Sequence, residues 1–252
     1  MLARFSKYHD QLNTIDLFKI IALFFMFIDH IGFYFLNRDE LFFDYGRIAA
    51  PIFFFLVGYN VKTVAEPITT SFNFSSASFR MLCFGCILTA SYYVLNERFQ
   101  INILLNMLLI RFFLSRVPIK NYSIFLIIPC VFVFLILHLS ARFHIEYGFL
   151  GLCYGLAGQL LYNDRRKLAS FIIFMTLLVQ FSFYFLRTSD PIPLIISAAI
   201  IWIGLGTFHF KTFEMPALFK KSLLLCSRYT LEIYFAHLFL FQLYALILTK
   251  NA

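Results

Sequence analysis

Apolar runs separated by short polar breaks recur along the whole chain. Dividing the sequence at those breaks gives about nine candidate helices of ~15–28 residues, near 15–37, 46–64, 76–95, 101–115, 121–139, 147–163, 167–186, 191–208 and 222–249. These lengths lie around the ~20 residues that an α-helix needs to cross the hydrocarbon core of a bilayer. The fourth candidate is short and ends among Arg111 and Arg116, whose long side chains can snorkel to an interface. The breaks are as brief as "NDRRK" (163–167) and "RTSDP" (187–191). No linker or repeat divides the chain, so residues 1–252 read as a single transmembrane domain. The polar start, "MLARFSKYHDQLNT", and the lack of a small-residue cleavage site after the first apolar run predict that the first helix stays as an anchor.

Composition supports this pattern. Of 252 residues 61% are hydrophobic, 36 are Phe and only 13% are charged, too few to solvate a globular surface. Ten Gly and no alternating ten-residue segments argue against a transmembrane barrel. The expected fold class is therefore all-α: a polytopic integral membrane helix bundle with about nine transmembrane helices. The formal charge of +8 fits loops that face the cytoplasm and anionic membrane lipids. No basic cluster is interleaved with aromatics on a polar segment, so nucleic acid is not an expected partner.

Charge also predicts orientation. With the N-terminus inside, the cytoplasmic segments hold Arg4, Lys7, Lys62, Arg80, Arg111, Arg116, Lys120, Arg165, Arg166, Lys167, Lys211, Lys220 and Lys221. The far side holds Arg38, Arg98, Arg142, Arg187 and Lys250. This bias predicts a cytoplasmic N-terminus and an odd number of spans. Lys19, Arg47 and Arg228 fall within or at the ends of spans and require another explanation.

The five cysteines lie in apolar segments, and their odd number opposes a disulfide framework. "CFGC" (83–86) has the spacing of half a zinc site but lacks a second half nearby, so no metal is expected.

The polar groups at membrane depth carry the candidate chemistry, because an ionisable side chain there costs several kcal/mol unless paired or hydrated. "IDLFKIIALFFMFIDHIG" (15–32) holds Asp16, Lys19, Asp29 and His30. Lys19 and His30 are 11 residues apart, within about 20° of three full turns, so they share one stripe separated by ~16 Å along the axis. Asp16 falls about 40° from His30. Lys19, near the cytoplasmic end, suits an anionic ligand; the plain alternative is snorkelling to headgroups. Asp29 and His30 point about 100° apart, so Asp29 needs another partner, and Arg47 in "DYGRIAAPIFFFLVGYN" starts the second span at similar depth. Pro51 is tolerated in the first turn or so of that helix, and Gly46 and Gly58 permit close helix contact. The last span, "CSRYTLEIYFAHLFLFQLYAL", brings Glu232, Tyr234 and His237. Counted from each helix's cytoplasmic start, His237 and His30 both lie ~22 Å in. The alternative for this group is a set of satisfied polar contacts holding the bundle. Asn102, Asn106, Tyr147, Tyr154 and Gln159 can serve either substrate binding or interhelical packing.

The blocks "DLFKIIALFFMFIDHIG", "YGRIAAPIFFFLVGYN", "INILLN", "YGFLGLCYGLAGQLLY" and "YTLEIYFAHL" together resemble the TraX family, membrane proteins that acetylate the N-terminus of conjugative pilin. The first two blocks are the most specific, with Lys19, Asp29, His30, Gly46, Arg47, Pro51, Gly58 and Asn60 at matching positions. The first block is also similar to the wider class of membrane acyltransferases, in which a basic residue precedes a histidine by eleven positions. The resemblance implies acetyl-CoA as donor from the cytoplasm and an acceptor protein or glycan at the far face of the bacterial inner membrane.

The resulting expectation is transmembrane acetyl transfer. Lys19 with Arg80, Arg111 or Arg116 would hold the CoA phosphates. His30 would act as general base, Asp29 and Arg47 would fix its geometry, and His237 would orient it or act as a second acid/base. Either histidine fits the role of base, and a transient acyl-histidine is a further route. Asn60, Asn102 and Tyr234 are the candidate substrate-binding groups. The acceptor is expected to be an amine like a pilin N-terminus, with a glycan or lipid hydroxyl as the alternative. A transporter using the same groups as a proton relay is the rival from another class, opposed by the lack of an inverted repeat. A non-catalytic assembly protein is the last alternative. The sequence carries no signal for oligomeric state.

Overall fold

The computed structural model describes residues 11–36, 39–61, 76–96, 98–116, 131, 133, 147–185 and 190–251. Helix α1 (Thr14–Phe35) opens on a reciprocal cap. The side chain of Asn13 accepts from the Asp16 backbone N–H at 3.1 Å, and the Asp16 carboxylate accepts from the Asn13 N–H at 3.2 Å. Such caps contribute about 1 kcal/mol. The second Asp16 oxygen accepts from the Ser227 hydroxyl at 2.5 Å. Asp16 therefore fixes the start of α1 and ties it to a later helix, a use that its stripe position does not reveal.

Helix α2 (Glu40–Gly46) is capped by Asp39, whose carboxylate accepts from the N–H groups of Leu41 and Phe42. The chain then turns through Arg47 into α3 (Ala49–Tyr59), with Pro51 inside its first turn where a missing N–H costs nothing. Next come α4 (Ser76–Asn96), α5 (Ile103–Arg116), α6 (Gly148–Tyr162), α7 (Arg166–Phe185), α8 (Ile192–Gly206), α9 (Ala217–Arg228) and α10 (Thr230–Asn251). Two short strands, β1 (Leu12–Asn13) and β2 (Thr212–Phe213), pair antiparallel with Leu12 opposite Phe213. They strap the segment before α9 onto the start of α1, reinforced by the Thr14 N–H donating to the Lys211 carbonyl at 2.9 Å.

The centre is the crossing of α3 and α6, both buried along nearly their whole length. Backbones meet there: a Cβ on Gly58 would stand 1.8 Å from the Gly155 carbonyl oxygen, so only glycine allows this approach. Helix α1 packs on α2 and α3, α7 on α6, α8 on α7, α5 on α4 and α6, and α10 on α1 and α4.

The helices stand close to the predicted segments, but the expectation of about nine transmembrane helices is wrong. Among the described residues four helical stretches are long and apolar enough to cross a membrane: Thr14–Phe35, Glu40–Tyr59, Ser76–Asn96 and Thr230–Ile247. Gly148–Tyr162 and Ile192–Gly206 have 15 residues each, about 22 Å against a hydrocarbon core of ~30 Å. The apolar composition of α6 has a different cause, since its side chains are buried against protein. The predicted span 222–249 is two helices, broken at Tyr229 into α9 and α10. The predicted span 121–139 lies outside the described residues apart from positions 131 and 133, as do Arg4, Lys7, Lys62 and Lys120.

Candidate functional site

Helices α1 and α10 bring His30 and His237 together, with Nδ1 of His30 2.8 Å from Nε2 of His237. Nδ1 of His237 lies 2.8 Å from the carbonyl oxygen of Ile233, one turn earlier on its own helix. A carbonyl can only accept, so His237 carries its proton on Nδ1. In the neutral ring its Nε2 is then the acceptor, and His30 must donate from Nδ1. The chain of two bonds leaves Nε2 of His30 with a lone pair. Phe27 stacks on the His237 ring at 4.1 Å and Phe241 meets it edge-on at 5.7 Å, fixing its plane.

His30 lines a cavity of about 150 Å³, together with Asp29, Arg47, Asn102, Tyr234 and Gln242. His237 sits behind His30, buried. The Gln242 side-chain oxygen is buried and has no hydrogen-bond partner among the described residues. Arg47 reaches this cavity from the turn after α2. Its Nη1 donates to the Tyr147 hydroxyl at 2.9 Å, and its guanidinium lies over the Phe43 ring at 3.9 Å. Tyr147 holds a left-handed backbone, φ 59°, at the start of α6, a conformation that costs about 1–3 kcal/mol for a residue with a Cβ. Gly46 lets α2 approach α1 at Asp29: a Cβ there would stand 2.3 Å from the Asp29 Cβ.

A second cavity, of about 260 Å³, is lined by Lys19, Arg80, Arg111, Arg228, Asn60 and Glu232 among others. Four of these are cationic, and Arg80 pairs with Glu232. Tyr234 lines both cavities, so it forms their common wall. Its hydroxyl accepts from Asn102 Nδ2 at 3.4 Å. Along α1, Lys19 and Met26 face the basic cavity, and Asp29 and His30 face the polar one.

The model of one protein family, described as TraX protein, matches residues 14–244. The chain belongs to the TraX family. An uncharacterized protein of Rickettsia prowazekii (strain Madrid E) is similar to it, 29% identical over 183 residues that cover 69% of this chain and 67% of that protein. No solved structure matches. TraX membership supports acetyl transfer at a membrane face.

In this TraX chain Asp29, His30, Arg47, Asn102 and Tyr234 come to one cavity, and Lys19, Arg80, Arg111 and Asn60 come with Tyr234 to the other. His237 supports His30 from behind. Arg116 lies apart, folded over the Phe112 ring of its own helix at 4.1 Å. Five residues from Arg111 amount to about 140° around the helix, so both cannot face one cavity. Asn60 turns its amide back to the Leu56 carbonyl at 2.8 Å, closing the end of α3. Sequence reasoning does not reach Arg228, Glu232 or Gln242 as site residues. Arg228 is visible as a cation near a span end, but Gln242 gives no signal distinct from a packing amide. Among the described residues no group of three or more His, Cys, Asp or Glu could hold a metal ion.

Proposed function

We propose that this protein is a membrane-embedded acetyltransferase. It moves an acetyl group from cytoplasmic acetyl-CoA to an acceptor amine, like a pilin N-terminus, at the far face of the inner membrane. The chain's N-terminus is on the cytoplasmic side. The observation that carries this reading is the lone pair left on Nε2 of His30, a residue that lines a polar cavity sharing the Tyr234 wall with a basic cavity.

Lys19, Arg80, Arg111 and Arg228 hold the phosphates of CoA, since several cations around one cavity attract a polyanion more strongly than any one of them. The pantetheine arm carries the thioester past Tyr234 to His30. The acceptor amine, unprotonated on arrival, attacks the thioester carbonyl and forms the C–N bond. Nε2 of His30 takes the proton released from nitrogen. The C–S bond breaks, and the same proton passes from His30 to the CoA sulfur. Proton and electron pairs balance, and His30 returns to its starting state. His237 keeps the His30 ring in the tautomer that leaves Nε2 basic, a positioning role worth about 10²–10⁴ in rate when the proton transfer depends on it. Asp29 and Arg47 hold the cavity's charge balance, and Gln242 accepts a hydrogen bond from the acceptor.

The test is purified protein in lipid nanodiscs with acetyl-CoA and a peptide amine. The His30→Ala variant is expected to insert and bind CoA but to lose transfer, and Lys19→Ala to weaken CoA binding. Full turnover by His30→Ala overturns the proposal. A second reading, O-acetylation of a glycan or lipid hydroxyl, draws support from the amides and phenols around His30 (Tyr92, Gln100, Asn102, Gln242), which suit hydroxyl groups. Offering a saccharide beside the peptide separates the two.

A further inference from the structure

Helix α9, "ALFKKSLLLCSR", differs from every spanning stretch in the chain. It has 12 residues, about 18 Å, and carries Lys220, Lys221 and Arg228, so it cannot cross a bilayer. Its apolar residues are nonetheless uncovered by protein: Leu218 is 78% exposed, Phe219 66% and Leu225 58%. Leu218 and Leu225, seven residues apart, lie within about 20° of each other on the helix, and Phe219 lies at the edge of that face, about 100° from Leu218. The opposite side is anchored, with Ser227 buried and bonded to Asp16 at the start of α1. The β1–β2 strap holds the segment leading into α9 at the same end of the molecule. The helix is thus fixed at the end where α1 begins, with Leu218 and Leu225 facing outward, Lys221 about 40° and Arg228 about 60° from Leu225, and Lys220 on the anchored side with Ser227.

We infer that α9 lies in the membrane interface and binds an anionic phospholipid surface, with Leu218 and Leu225 among the acyl chains, Phe219 at the edge of that face and Lys221 against headgroup phosphates. The chemistry is complementary on both counts. A helix with one apolar face, and with enough charge elsewhere to keep it from inserting fully, sinks that face to the headgroup boundary. Lys221, exposed beside that face, adds attraction for negative lipid. Charge complementarity selects the bilayer over a second copy of this chain, because two such faces would oppose lysine to lysine. The site has a consequence for the basic cavity. Ser227 and Arg228 line that cavity from the last turn of α9, so the lipid surface supports one of its walls.

The experiment uses the full chain in vesicles. Trp202 is the one tryptophan in the sequence. With Trp202→Phe as background, Phe219→Trp reports on the strip, and Leu218→Trp in the same background serves if that variant fails to fold. Tryptophan emission is quenched by brominated phosphatidylglycerol or brominated phosphatidylcholine at equal mole fraction. Expected are blue-shifted emission, quenching by both lipids, and stronger quenching by the anionic one. Lys221→Gln should bring the two lipids to parity. Emission of a water-exposed indole, absence of quenching, or equal quenching by both lipids with Lys221 intact overturns the inference. So does a blue shift that disappears when the protein is diluted, which would mark self-association. None of these readouts depends on acetyl transfer, so this inference and the proposed activity fail separately.

Discussion

Gly46 and Asp29 touch backbone to side chain: a Cβ at position 46 would stand 2.3 Å from the Asp29 Cβ and 2.8 Å from its Oδ1. Because Arg47 follows directly, this contact sets the distance between an anion and a cation of one cavity. Replacing Gly46 with Val forces α2 away from α1. The expected result is a stability loss of about 1–3 kcal/mol and a fall in transfer that exceeds any fall in CoA binding. Thermal unfolding in nanodiscs with paired kinetics checks it; wild-type turnover in Gly46→Val refutes it.

His237 makes no contact with substrate in the proposed reaction, and its effect is confined to the proton state of His30. His237→Phe keeps an aromatic ring beneath Phe27 and removes the acceptor nitrogen. Turnover should fall by about 10²–10⁴ with the KM for acetyl-CoA unchanged. A change in KM alone would point to a packing role.

Glu232 pairs with Arg80 in the wall of the basic cavity and adds a negative charge where a polyanion is proposed to bind. Glu232→Gln frees Arg80 and removes the repulsion. CoA affinity should rise about two- to fivefold, the scale of a partly exposed ion pair. Titration calorimetry reads this directly, and weaker binding would mean that Glu232 orients Arg80 instead.

The two arginines of α5 offer an internal control. Arg111→Ala should weaken CoA binding, whereas Arg116→Ala should leave it unchanged, because Arg116 rests on Phe112 away from the cavity. Equal effects would place the phosphates outside the basic cavity.

Much of this architecture is legible from pattern alone, for identifiable reasons. Apolar segments become helices close to their predicted places because local hydrogen bonding in an apolar run has few alternatives. Whether a helix spans is not legible, since lipid and protein neighbours select the same side chains: α6 is apolar because it is buried against α3, α5 and α7. The break at Tyr229 escapes the pattern because Leu223, Leu224 and Leu225 run on into the apolar positions of α10, although the two helices differ in charge. His30 and His237 lie 2.8 Å apart, as depth counting expects, although the count for His237 runs through the break at Tyr229 and so rests on a helix that is not continuous. Counting does not tell which of them faces the cavity, because that depends on a backbone carbonyl, Ile233, with no side-chain signature. Rotation about α5, equally countable, separates Arg111 from Arg116.

The position of Tyr234 in two walls at once bears on how the proposed reaction is organised across the bilayer. In that reaction donor and acceptor would occupy separate chambers and meet past the Tyr234 ring. CoA would then return to the compartment it came from, and the acceptor would stay in its own. The chemistry is then vectorial: the acetyl group alone changes sides, and no carrier has to be translocated with it.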